Sequence, residues 1–501
     1  MKEVEKLATG IPGFDVVSRG GLPRGRTTLL AGTAGSAKTV FAAQFLAAGI
    51  QQFDEGGVFV TFEEPPEDIR RNMRGLSWDI AAWERGGRWA FVDASPQPEL
   101  ERVEAGAYDL GAMVARVEAA VRKVGARRVV LDSLSAVFGQ FEDAAAVRQE
   151  LQKVAVALRK LDVTALVTAE RTADYGDIAR FGVEEFVADN VILLRNVLGE
   201  EKRRRTVEIL KFRGADHRKG EHPFTVLSGS GVHVLPLSAS EEPHEAGDER
   251  LPWGVPALDA MCGGGLFRQT VTLVSGTTGT GKTLLGTAFA AGGAARGERC
   301  LVVGFEEARE QLGRAARSWG VDVRALEAKG LLRLECAHPE SAPMEDHLLR
   351  LKRLVDEMRP QRLVVDSLSA LSRVGTPRGF REVVVELTSF ARSRGLTTLL
   401  TAGTPSLGGE PSPTEEQVFP LTDTIVLLRY VEVYSEMRRG VAVLKMRGSA
   451  HDREIRELTI DDAGAHIGAP FRNVGGILTG RTPQYSPREE LERMAGLFRE
   501  G

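Results

Sequence analysis

The chain has 501 residues, 43% of them hydrophobic and 27% charged, with a formal net charge of −4. That length is ample for buried cores, while the charge balance speaks against whole-molecule attraction to nucleic acid and leaves only a local basic groove open. There is no long apolar run, the opening Met1-Lys2-Glu3-Val4-Glu5 has no apolar signal region, and the three cysteines (Cys262, Cys300 and Cys336) lack metal-ligand spacing, so secretion, membrane insertion and a disulfide framework are set aside and a cytoplasmic location is expected.

In chain order, an opening segment Thr9-Gly10-Ile11-Pro12-Gly13-Phe14-Asp15 leads through Gly20-Gly21-Leu22 to an apolar run, Thr27–Ala31. Next come the Gly-rich stretch Gly32-Thr33-Ala34-Gly35-Ser36-Ala37-Lys38-Thr39 and a helical pattern over Val40–Ala48. Strand-like runs at Val58–Phe62, Arg128–Leu131 and Thr164–Thr168 alternate with helical periodicity over Ala112–Val124 and Ala144–Leu161. Such alternation predicts an α/β fold with a mostly parallel sheet covered by helices on both faces. After Asp189 the pattern changes to shorter β-like pieces at Val191–Arg195, Thr206–Phe212, Phe224–Leu227 and Val232–Val234, which predict antiparallel hairpins at one edge. Ser238–Arg250 is polar and acidic without hydrophobic period and reads as a linker.

Everything then recurs. Trp253-Gly254-Val255-Pro256-Ala257-Leu258-Asp259, Gly264-Gly265-Leu266 and Val271–Ser275 precede a second Gly-rich stretch, Gly276-Thr277-Thr278-Gly279-Thr280-Gly281-Lys282-Thr283. It lies roughly 240 residues after the first, and its partners come with it. Phe62-Glu63-Glu64 returns as Phe305-Glu306-Glu307, the Leu131-Asp132-Ser133 run as Val365-Asp366-Ser367, and Lys211-Phe212-Arg213-Gly214 as Lys445-Met446-Arg447-Gly448. The domains are therefore expected at 1–237 and 251–481, with a linker at 238–250 and a charged tail at 482–501 that has one helix-like stretch from Pro487 to Phe498.

Strand, Gly-rich loop and helix together are the context of a phosphate-binding P-loop, in which backbone N–H groups converge on phosphate oxygens and the helix adds its positive end. Lys38 and Lys282 would reach the β- and γ-phosphates of ATP, and the Thr39 and Thr283 hydroxyls would meet Mg2+. The first loop departs from the pattern at Ala37, where a methyl takes room near the phosphates and disfavours positive φ. Asp132 and Asp366 end hydrophobic strands, where a carboxylate can hold a magnesium-bound water; capping the next helix is the alternative. The acid pairs Glu63-Glu64 and Glu306-Glu307 follow strands at the ligand edge of the sheet. Because neighbouring side chains on a strand point to opposite sides, one of each pair is expected to polarise the attacking water. Lys211 with Arg213, and Lys445 with Arg447, suit charge stabilisation in trans on the nucleotide of an adjacent subunit, which requires a ring. The basic run Lys202-Arg203-Arg204-Arg205 reads as a solvated face.

These motifs resemble the KaiC family of circadian-clock ATPases, a RecA-like P-loop branch, over nearly the whole chain. The stretches Ile178–Val187, Leu194–Leu198, Met261–Gly265, Glu345–His347 and Thr422–Leu428 carry the likeness as well. The resemblance implies two tandem RecA-like domains and a double-ring homohexamer with ATP between subunits. It further implies slow hydrolysis in the first ring and, in clock members, Ser and Thr autophosphorylation in the second. It assigns Glu63 and Glu306 as general bases, Thr39, Thr283 and Glu306 as magnesium neighbours, and Trp319 as a nucleotide contact. Lys211, Phe212, Arg213, Ala215 and His217, with Arg439, Lys445, Met446, Arg447, Ser449, His451 and Arg453, would line the site from the next subunit. KaiA-like, KaiB-like or histidine-kinase partners are implied in the same way. One departure stands out: the adjacent Ser-Thr acceptor pair of clock members is replaced by Phe419 and Pro420, neither of which can take phosphate, while Ser412, Thr414 and Thr422 are nearby hydroxyls. Two other readings remain: a RecA-like single-stranded DNA motor, which predicts ATP-dependent, salt-sensitive strand binding, and a scaffold whose ring nucleotide merely holds together.

Overall fold

The computed structural model describes residues 4–95, 110–133, 136, 144–178, 188–199, 202–236, 247–404, 413–433 and 436–472. Most of the expected linker, most of the Ile178–Val187 stretch, Ser412 and the 482–501 tail lie outside them. The chain folds as two units, Met1–Leu237 and Ser238–Gly501.

In each unit the helix after the Gly-rich loop sets the centre of the fold. Lys38–Gln52 buries Phe41, Ala42, Ala43, Phe45 and Leu46 completely, and Lys282–Ala295 does the same with Leu285, Phe289 and Ala290. Their Ala and Gly content lets a helix apolar on most sides sit close against a sheet. Phe14, from the opening segment, meets Phe41 edge to face with centroids 5.2 Å apart.

Each helix packs on a nine-stranded sheet. Across the first sheet the order is Gly231–Val234, His222–Leu227, Arg203–Phe212, Asn190–Leu198, Thr27–Gly32, Thr164–Glu170, Ala126–Asp132, Gly56–Thr61 and Trp89–Asp93. The second repeats it with Gly464–Pro470, Arg456–Asp461, Glu436–Met446, Thr424–Val433, Val271–Gly276, Thr397–Gly403, Arg362–Asp366, Cys300–Gly304 and Leu332–Cys336. The α/β class with a parallel sheet and an antiparallel edge is as expected. One detail differs. The first of the late β pieces, Asn190–Leu198, lies parallel to the P-loop strand, and the antiparallel pairing starts only with Arg203–Phe212. That strand is both the last parallel neighbour and, through its pairing with Arg203–Phe212, the first arm of the expected antiparallel hairpin. Arg250, at the end of the expected linker, already pairs in a short strand with Phe267.

Two buried ion pairs fasten the opening segments to the sheets. Arg128 Nε lies 2.7 Å from Glu55 Oε2, and its other nitrogens donate to the Ala8, Thr9 and Phe45 carbonyls. In the second unit Arg362 Nε lies 2.6 Å from Glu298 Oε2 and Nη1 donates to the Pro252 and Phe289 carbonyls. Among the described residues no helix is long and apolar enough to cross a membrane.

Candidate functional site

Parallel neighbours in a sheet present their carboxyl ends together, so the loop after Gly276 is flanked by the strand end Gly403 on one side and by Leu428, within the strand Thr424–Val433, on the other. In the second loop the Lys282 ammonium donates to the Thr277 carbonyl at 2.9 Å, and the Thr280 hydroxyl to the same carbonyl at 2.7 Å. The side chain therefore curls back over its own loop. Lys38 does likewise with the Gly32 and Thr33 carbonyls at 2.9 and 3.1 Å. Burial lowers both lysine pKa values, opposed by surrounding carboxylates. Ala37 takes up the left-handed conformation at φ 68°, which Gly281 meets at φ 106°.

Asp366, 9% exposed, ends its strand beside the loop. Its Oδ2 accepts from Thr283 Oγ1 at 2.7 Å and its Oδ1 from Thr401 Oγ1. Asp132 accepts from Thr168 Oγ1 and is held by Thr39 as well. Burial raises the pKa of both acids, and the hydroxyl bonds pull it back down. A P-loop threonine in contact with a strand-end carboxylate fits Mg2+ bound through that hydroxyl, phosphate oxygens and water. Among the described residues no group of three or more His, Cys, Asp or Glu side chains is arranged to hold a metal ion.

The acid pairs divide. Glu306 Oε1 accepts from Ser367 Oγ at 2.6 Å, next to Asp366, whereas Glu64 Oε1 accepts from Asn72 Nδ2 on the following helix. Glu63 is coupled to Lys38, Asp132 and Glu170, and its pKa is raised by burial first, then by Glu170 and Asp132. Burial also raises Glu64 and Glu307. Trp319 caps the helix Arg309–Ser318 and is partly exposed.

The expected trans-acting cations lie elsewhere in their own unit. Lys211 Nζ donates to the Ala188 carbonyl at 2.9 Å and Arg213 lies 3.4 Å from Asp189. Lys445 Nζ donates to the Thr422 carbonyl at 2.6 Å and Arg447 lies 3.4 Å from Asp423. By register these residues stand near the amino ends of the parallel strands, opposite the P-loop end. Phe212 and Met446 are buried in the cores of their own units, and Ala215 packs against the first. His217 is buried with its pKa lowered by desolvation; Ser449 Oγ accepts from Arg250, and Arg453 is exposed.

Arg439 is different from that group: its Nε donates to the Gly279 carbonyl of its own loop at 3.1 Å. Arg205 does the same to Gly35 at 3.2 Å. The basic run that read as solvated surface thus contributes one residue to the P-loop, and the matched position of Arg439 was the signal that could have found it. Thr168 and Thr401 also escaped the sequence reading, because a threonine inside a β run is an ordinary strand residue.

A family model described as the KaiC ATPase matches residues 7–239 and 251–471. The chain is 57% identical over 497 residues to the circadian clock protein KaiC3 of Synechocystis sp., covering 99% of this chain and 98% of that protein. It is 48% identical over 490 residues to the circadian clock oscillator protein KaiC of Thermostichus vulcanus, covering 98% and 94%. To the oscillator protein KaiC 1 of Synechocystis sp. it is 47% identical over 491 residues, again covering 98% and 94%.

Proposed function

Since the chain belongs to the KaiC family of ATPases, we propose that each unit binds ATP with Mg2+ and hydrolyses it at a cleft completed by an adjoining copy of the chain in a double-ring homohexamer. The observation that carries the hydrolytic reading is the meeting of Lys282, Thr283, Asp366 and Glu306 at one end of one sheet, repeated by Lys38, Thr39, Asp132 and Glu63. In this reading the loop and lysine hold the β- and γ-phosphates. The threonine and aspartate orient the magnesium and its water, and Glu63 or Glu306 takes the proton of the attacking water.

The placement of Lys211 and Arg213 favours a shared cleft. Lys211 lies level with Val191 and hence with Leu29, three residues and so roughly 10 Å behind Gly32 at the start of its own loop, a placement that suits the nucleotide of a neighbour better than its own. Glu63→Gln and Glu306→Gln should each lower ATP turnover at least tenfold at the altered site, and mass measurement should give six chains. Mixing a Lys282→Ala chain with an Arg447→Ala chain should restore part of the lost second-unit turnover; no recovery in mixed assemblies would refute the shared cleft.

Autophosphorylation at the usual pair has no acceptor here. Phe419 and Pro420 form a short 3-10 turn whose carbonyls accept from Lys445 and Arg447, and Thr422 is fully buried. Phosphopeptide mapping after incubation with ATP should find the 419–420 positions unmodified, and phosphate on Thr414 or Ser412 would restore a kinase role. The clock role in the relatives' names, and KaiA-like, KaiB-like or histidine-kinase partners, belong to this chain as part of the same proposal, testable by co-purification with such proteins.

A further inference from the structure

The two sites differ at one strand end. By parallel register Gly32 stands beside Glu170 in the first unit and Gly276 beside Gly403 in the second. The Gly32 carbonyl accepts both from Lys38 Nζ at 2.9 Å and from the backbone N–H of Arg171 at 3.1 Å. One oxygen thus ties the P-loop lysine to the residue directly after Glu170. Alternation along the strand puts Glu170 on the same face as Thr168, whose hydroxyl is on Asp132. Its exposed side chain therefore stands at the loop mouth, on the side where Asp132 and Thr39 meet.

We propose that Glu170 is an additional acidic side chain of the first nucleotide site, facing the terminal phosphate, and that it makes this site discriminate less in favour of ATP over ADP than the second. The inference rests on the nucleotide-binding reading above. A P-loop lysine reaches the β- and γ-phosphates, so a carboxylate beside it meets the triphosphate more closely than the diphosphate and repels it more. Glu170 is also the carboxylate acting most strongly on Lys38, ahead of Asp132 and Glu63, against the lowering by burial. Among the described residues the second unit has no acid at the matching strand position, which is Gly403. Its further carboxylate, Glu415, is fully buried and accepts from Thr404 Oγ1 at 2.7 Å, one residue beyond Gly403.

The test compares ATP and ADP affinities in full-length chains with one site disabled. In a Lys282→Ala background, Glu170→Gln should raise the ratio of ATP to ADP affinity at the first site on the order of tenfold. In a Lys38→Ala background, Gly403→Glu should lower the same ratio at the second site. That substitution has room, since a Cβ at Gly403 would meet Ser369 only at 3.6 and 3.8 Å. Ratios unchanged within twofold in both variants, with binding intact, overturn the role of Glu170. Absence of any nucleotide binding in the Lys282→Ala background instead overturns the first site itself, and this inference with it.

Discussion

Ala37 holds the backbone position that Gly281 holds in the second unit, each directly before its P-loop lysine, at φ 68° and φ 106°. A left-handed conformation costs an alanine about 1–2 kcal/mol, offset in part by its smaller entropy loss on folding. Ala37→Gly should therefore leave stability unchanged or raise it by up to about 1 kcal/mol. Gly281→Ala should do the reverse more strongly, because its Cβ would also come within 2.9 Å of Ile460 Cδ1. Thermal melts of both variants decide it, and equal midpoints for Gly281→Ala and wild type would contradict the account.

Burial pushes the Cys262 and Cys300 thiols up to about 12 and Cys336 up to about 11. Since the thiolate is the reactive form, only about one thiol in ten thousand at Cys262 or Cys300 is ionised at pH 8. Thiol reagents should label the folded chain slowly at that pH, with Cys336 first. Raising the pH should speed labelling before unfolding does, and three fast-reacting thiols at pH 8 would show these environments to be misjudged.

Arg362 has no exposed side-chain surface and joins Glu298, Pro252 and Phe289. Arg362→Ala would leave two buried carbonyls without their donor, take from Glu298 one of its two arginine partners and open a cavity, at a cost of about 3–5 kcal/mol. Arg362→Met should lose less, because its side chain fills the volume that Ala leaves empty. Gly293→Ala should also destabilise, its Cβ falling 2.6 Å from the Arg362 side chain. Urea unfolding midpoints in the order wild type, Met, Ala would bear this out; an Ala variant as stable as wild type would remove the clamp's importance.

Much of this was readable in the chain itself, for a physical reason. The P-loops, the strand-end aspartates and the Glu pairs are local: each is a short run whose neighbours in sequence are its neighbours in space, and the repeat doubles every signal. Arg128 with Glu55, Arg205 with Gly35, and Thr168 with Asp132 are long-range meetings of common residue types, and no local pattern marks them. Glu170 was hidden in a further way: it sits at the end of an apolar run where its counterpart is Gly403, so the repeat that exposed the other residues concealed this one.

Thr401 is the residue through which the second site's carboxylate is held. Its hydroxyl and that of Thr283 each donate to one oxygen of Asp366, which orients the carboxylate at the strand end, where the proposed function has it hold a magnesium-bound water. Thr401→Val keeps the shape and removes one donor to a buried charged group, a loss of about 1.5–3 kcal/mol for such a bond. Asp366 then turns on its remaining contact with Thr283, so half-maximal second-unit turnover should need several-fold more Mg2+, while ATP concentration for half-saturation changes little. Thr401→Ser restores the donor and should return the Mg2+ requirement toward wild type. A merely structural threonine would lower stability in both variants without separating Mg2+ from ATP, and that pattern in a magnesium titration of turnover would refute the positioning role.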